Sequence, residues 1–158
     1  KRHSNLGRFC PYSIRMRDII NPDLQQILVE KASDVFRRVF SRGTYGVVEP
    51  PRFETAAEVR MMYDAHCDIS GHTMMPEAAL ARAIGASYAA LYVISNHAEG
   101  ILPNWKQSIF DIYESCAPIV GGVMLNAMAA IDPEKVHNNS EENIIKMPEH
   151  VAKRIDAE

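Results

Sequence analysis

Residues Tyr88-Ala89-Ala90-Leu91-Tyr92-Val93-Ile94 form an almost unbroken apolar run, and no other stretch restricts the possible folds so tightly. A strand with one wet face alternates apolar and polar residues, whereas a strand covered on both faces does not. The run therefore predicts an inner strand over Ser87–Ser95, with helices on both sides of its sheet. Its surroundings agree. Pro76 and Gly85 bracket a compact helix over 76–84, because proline suits the first helical position and glycine the stop. After a loop at 96–104, a long helix is expected over 105–130, kinked near Pro118 and Gly121-Gly122.

The preceding residues repeat the alternation. Asn21 as cap and Pro22 at the first position open a helix over 22–39, with Leu24, Ile27, Leu28, Val35, Phe36 and Val39 along one face. Gly43 ends it, and Thr44–Val48 reads as a strand. Pro50-Pro51 breaks the chain. Thr55 then caps a second helix, with Glu58 completing a capping box and the helix ending near Ala65. A short strand follows at Cys67–Ser70. The first twenty residues read as loop, and residues 132–158, polar and mixed in charge, as a polar tail or peripheral helix. The fold class is α/β with a mixed sheet flanked by helices. Two or three strands are few for such a sheet, so either the fold is unusually small or further strands come from elsewhere.

Composition narrows the function classes. The chain has 158 residues, enough for one domain with a core of its own. With 47% hydrophobic and 23% charged residues it has the make-up of a soluble globular protein. A net charge of −3 gives no reason to expect nucleic acid or an anionic membrane as partner. No apolar run approaches the about 20 residues of a spanning helix, and no secretory core opens the chain. Cys10, Cys67 and Cys116, odd in number and widely spaced, read as reduced thiols of a cytoplasmic protein. Lys1 rather than Met at the start suggests a processed product or part of something longer.

The loops must carry the chemistry. Glu49–Thr55, Ser70–Pro76 and Ser95–Gly100 follow or border strands, and loops at strand carboxyl ends gather where ligands bind. They offer Glu54, His72, Thr73 and Asn96, with open backbone at Gly71. A carboxylate facing a carboxamide can pair with a heterocycle that has a donor and an acceptor side by side. The Thr73 hydroxyl, just before Pro76, suits a phosphate or another anion. His66, Cys67, His72 and His97 fit no standard zinc spacing and read as ordinary polar residues. Trp105 reads as a core or helix-start residue.

Four motifs carry a resemblance. Pro51-Arg52-Phe53-Glu54-Thr55-Ala56-Ala57-Glu58-Val59-Arg60 resembles the GPRFET-x-AE-x-R signature of the trimeric nucleoside phosphorylases. Asp68-Ile69-Ser70-Gly71-His72-Thr73-Met74-Met75-Pro76-Glu77 is similar to ADxVGMSTVPE, and Leu80-Ala81-Arg82 to the LAR that follows it. Val93-Ile94-Ser95-Asn96-His97-Ala98-Glu99-Gly100 resembles VTNYAAG. Upstream, Leu6-Gly7-Arg8-Phe9 and Arg17–Leu24 are similar to GxRFxxMSDAYDPEL. This family includes the methylthioadenosine and methylthioinosine phosphorylases.

The resemblance implies that residues 1–131 are the C-terminal half of a nucleoside phosphorylase domain. The implied reaction is reversible phosphorolysis of a purine nucleoside, with inorganic phosphate as co-substrate and no metal or organic cofactor. Position by position, Glu54 matches the carboxylate that accepts the purine N1–H. Asn96 matches the carboxamide that holds the base as negative charge develops on it. Thr73 matches the hydroxyl that grips phosphate. Ser70, Gly71 and His72, with Phe53 and Ser95, match residues along the base and sugar. Glu54 with Asn96 resembles enzymes for 6-oxopurines, since the 6-aminopurine branch tends to carry Ser and Asp there. Leu6 stands near the place of an aromatic that reaches into the neighbouring subunit of a trimer.

Departures accompany the resemblance. Pro50 stands where the family has Gly, His72 where it has Met, and His66 where it has Gly. The family's glycine-rich phosphate loop, with the Arg and His that hold phosphate, precedes the matched region and has no counterpart here. A separate N-terminal-half polypeptide, a fragment of an ordinary enzyme, and a non-catalytic relative acting as binding or scaffold subunit are the three expectations this raises.

Overall fold

The computed structural model describes residues 12–102, 109–146, 148 and 149. Leu6–Phe9, Cys10 and Trp105 lie outside them. Strand β1 (Tyr12–Ile14) is followed by helix α1 (Pro22–Ser33), strand β2 (Tyr45–Val47), helix α2 (Ala56–Asp64) and strand β3 (Ile69–Gly71). Helices α3 (Met74–Ala83) and α4 (Ile109–Ala130), a 3₁₀ turn at Glu141–Asn143 and strand β4 (Ile144–Lys146) complete the order.

Local chemistry sets the helix ends. Asn21 Oδ1 accepts from the N–H groups of Asp23 and Leu24, with Pro22 behind it, so α1 starts where the cap requires. It stops at Ser33, well short of Val39: Ser33, Asp34 and Val35 are poor helix formers, and Val35 is exposed. At α2 the capping box forms in full, the Thr55 hydroxyl taking the Glu58 N–H and Glu58 Oε2 taking the Thr55 N–H at 2.7 Å. Two helices end in the same left-handed stop. Cys67 N–H bonds Met62 O and His66 N–H bonds Tyr63 O after α2; Ala86 N–H bonds Ala81 O and Gly85 N–H bonds Arg82 O after α3. The residue at the left-handed position is Gly85 in one case (φ 75°) and His66 in the other (φ 59°). Within α3, Met75 is extended and the regular turns begin at Pro76.

The strands form two small ladders. β2 and β3 run parallel, joined by α2, with Tyr45 opposite Ile69, Gly46 opposite Ser70 and Val47 opposite Gly71. β1 and β4 run antiparallel, Ile14 opposite Ile144. The expected inner strand at Ser87–Ser95 is not one: among the described residues the run joins no ladder. Its side chains are half-buried, or exposed at Ile94, rather than enclosed, and among the described residues only the Tyr88 carbonyl reaches a neighbouring backbone, accepting from Asn21 N–H at 2.7 Å. An apolar run reports that a segment wants cover. It does not name the strand that pairs with it.

α1 packs on α4, with Leu28 and Ala32 on one side and Val123 and Ala127 on the other, four of the seven buried apolar residues among those described. α4 continues through Pro118. Residues 137–143 work as a clasp that the sequence did not announce. Asn21, fully buried, extends Nδ2 to His137 O (2.7 Å), Ser87 Oγ (3.2 Å) and Asn139 Oδ1 (3.4 Å). Asn138 Nδ2 donates to Gly85 O, Ser140 Oγ to Ala86 O and Asn139 Nδ2 to Asp18 O. Arg82, 1% exposed, donates to the carbonyls of Arg15, Arg17 and Asp18, tying the segment after β1 to α3. The first twenty residues thus hold a strand, β1, and the chain near its other end supplies that strand's partner.

Candidate functional site

Because β2 and β3 are parallel, the loops that follow them leave the same end of the ladder. The first carries Phe53 and Glu54, the second His72 and Thr73. Glu54 is 6% exposed and its Oε1 accepts from Ser70 Oγ at 3.1 Å, so a residue of β3 meets the loop after β2. A buried carboxylate is costly unless its oxygens find donors, and among the described residues the Ser70 hydroxyl, a neutral group, supplies one. Phe53, half exposed, has its ring 6.3 Å from the His72 imidazole at 58°. His72 Nδ1 lies 2.9 Å from Val48 O.

Thr73 sits among tyrosines that the sequence reading passed over. Its N–H points to the Tyr45 hydroxyl at 3.4 Å. The rings of Tyr45 and Tyr92 stack with centroids 4.7 Å apart. Tyr88 donates to Glu77 Oε2 at 3.3 Å. Burial first, and then Tyr92 and the Glu77 charge, push the Tyr88 phenol far above its ordinary value; burial also raises Tyr92. The Tyr88 and Tyr92 phenols therefore stay protonated at physiological pH. The Thr73 hydroxyl does not cap α3, whose regular turns start later. Gly71 is required here, since a β-carbon would run into the Tyr45 hydroxyl.

Asn96 is held within its own loop. Ser95 Oγ donates to its Oδ1 at 2.7 Å, and its Nδ2 donates to His97 O at 3.0 Å. No hydrogen bond joins Asn96 to Glu54 among the described residues. The loop is nevertheless seated beside Glu54: at Gly100 (φ 83°) a β-carbon would lie 2.5 Å from the Ala56 Cβ, two residues beyond Glu54. Only glycine allows both that conformation and that approach. A glycine closing a loop was the available signal, and it identifies no contact partner by itself.

A separate cleft of about 300 Å³ lies between β2 and α2, lined by Val47, Val48, Glu49, Arg52, Glu58 and Met61. Arg52 and Glu58 form its ion pair at 2.6 Å. Among the described residues no three His, Cys, Asp or Glu side chains converge as a metal site, and no helix is long and apolar enough to cross a membrane.

The profile of the phosphorylase superfamily matches residues 2–115. Over 111 residues the chain is 37% identical to a "Probable 6-oxopurine nucleoside phosphorylase" of Thermococcus kodakarensis, covering 70% of this chain and 41% of that protein. It is 45% identical over 80 residues to a "Probable S-methyl-5'-thioinosine phosphorylase" of Xylella fastidiosa, covering 51% of this chain and 34% of that one. The crystal structure of a methylthioadenosine phosphorylase from an antarctic soil metagenomic library superposes with a TM-score of 0.72 at 26% identity, over 84% of this chain and 48% of that chain. The chain thus spans less than half the length of these relatives, and with the family profile matching residues 2–115 it belongs to the phosphorylase superfamily.

Proposed function

We propose that this chain supplies the base-binding half of a purine nucleoside phosphorylase, which transfers a ribosyl group reversibly from a purine to inorganic phosphate. One observation carries the reading: the buried Glu54 carboxylate, held by the Ser70 hydroxyl between two loops at one end of a parallel ladder. There it accepts the N1–H of a 6-oxopurine. Asn96, released from His97, donates to the same base. Phosphate, gripped by Thr73, attacks the anomeric carbon through an oxocarbenium-like state, and the base leaves with its negative charge stabilised by the Asn96 donor while Glu54 holds the N1–H. The glycine-rich phosphate loop comes from an N-terminal-half polypeptide, covalently joined or separate, and the assembly closes as a trimer in the cytoplasm. The reaction uses no metal or organic cofactor.

The experiment is phosphorolysis of inosine by this chain combined with an N-terminal half, followed by release of hypoxanthine. Turnover is expected, with adenosine a poorer substrate. Asn96→Ala should lower kcat/KM by about 100-fold or more. The local engagement of both ends of the Asn96 carboxamide favours a second reading, a binding or scaffold subunit without catalysis. Hypoxanthine binding with no turnover in the completed assembly would establish that one instead.

A further inference from the structure

The carbonyl of Val48 marks where the parallel ladder ends. Val48 N–H donates to Gly71 O at 2.9 Å, and one more step of the ladder would bring Thr73 N–H back to Val48 O. Thr73 N–H turns to the Tyr45 hydroxyl instead. The local donors are missing too. A γ-turn would use the N–H two residues on and a β-turn the N–H three residues on. Those residues are Pro50 and Pro51, and proline has no N–H. What meets the carbonyl is the His72 side chain, Nδ1 at 2.9 Å. A carbonyl only accepts, so Nδ1 carries the proton of this bond. The same ring tilts against Phe53.

The geometry points to His72 as a positioning residue: its imidazole replaces the ladder and turn donors of Val48 O and fixes the Glu49–Thr55 loop to the connection that carries Thr73. Pro50 and His72, two departures from the family pattern, then form one coupled change. Proline at 50 removes a donor, and histidine at 72 restores one from across the ladder. The consequence for ligand binding rests on Glu54 and Phe53 as the base-side residues; the strut itself rests on the hydrogen bonds alone.

The test uses the 158-residue chain. Nitrogen NMR of the imidazole should show the Nδ1-protonated tautomer at neutral pH. Amide exchange at Val48 and Thr55 should quicken at least tenfold in His72→Met and stay slow in His72→Asn, whose carboxamide keeps a donor near the Nδ1 place. Adding Pro50→Gly to His72→Met should recover part of the loss. Hypoxanthine affinity should fall at least tenfold in His72→Met and hold in His72→Asn. An Nε2-protonated ring, or unchanged exchange in His72→Met, overturns the strut. Faster exchange with unaltered hypoxanthine affinity overturns the positioning role. A wild-type chain that takes no hypoxanthine, yet follows the exchange pattern, overturns the base-binding role proposed for this half by itself and supports the strut.

Discussion

His66 and Gly85 occupy equivalent places after two helices, each donating the inner bond of the same left-handed stop. Gly85, at φ 75°, has no β-carbon to crowd. His66, at φ 59°, does, and a non-glycine residue there carries a local cost of about 1 kcal/mol. The family pattern has glycine at this place, so the sequence already pointed to a turn with an awkward occupant. His66→Gly is expected to raise stability by about 0.5–1 kcal/mol, read as a higher urea midpoint with an unchanged slope. Gly85→Ala should move the midpoint the other way. Such stops are legible because a single residue type answers a single backbone requirement. The His72 to Val48 O bond is not legible in that way: it depends on the register of β2 against β3, which neither segment encodes alone.

Helix caps show the same contrast between short-range and long-range information. Thr55 and Glu58 name their own partners three residues apart, and the box forms as the spacing predicts. The Arg52 guanidinium, then the Thr55 N–H and hydroxyl, hold the Glu58 carboxyl at about 2, well below its ordinary 4.5. A carboxyl depressed in the folded state adds stability above its unfolded value and loses it as pH falls toward the folded one. Acid unfolding between about pH 4.5 and 2 should therefore weaken α2, and Glu58→Gln should flatten that stretch of the stability–pH curve. Asn21 is legible only by half. Its cap on α1 follows from Asn21-Pro22-Asp23, but its reach to Ser87, His137 and Asn139 spans most of the chain. Asn21→Ala removes both, leaving buried groups unsatisfied, and is expected to cost about 2–3 kcal/mol in chemical denaturation. Asn21→Ser keeps the cap and should recover part of it.

At the scale of the whole molecule the Tyr88–Ile94 run and α4 share one property. The run has the composition of an inner strand yet joins no ladder among the described residues. α4 buries Val123 and Ala127 against α1, while Phe110, Tyr113, Met124, Leu125 and Met128, on other sides of the helix, are exposed. A helix apolar on both faces belongs inside a fold, and a continuous exposed apolar stripe marks a surface that another element covers. The solved relative has about as much chain again beyond the matched region, since this chain covers 48% of it. Composition could read the demand for cover, which is a property of these residues, but not the identity of the cover, which lies in other residues. If the N-terminal half of the proposed enzyme seats on this stripe, charge placed there should block assembly without harming the chain itself. Phe110→Glu with Leu125→Glu alters exposed positions, so the isolated chain should keep its stability within about 0.5 kcal/mol for each change. Native mass spectrometry of the mixed halves should then show the wild-type complex and lose it for the double variant, with inosine phosphorolysis lost in parallel. A double variant that assembles as well as the wild type would assign the stripe to another contact and leave the run at Tyr88–Ile94 as the surface to alter next.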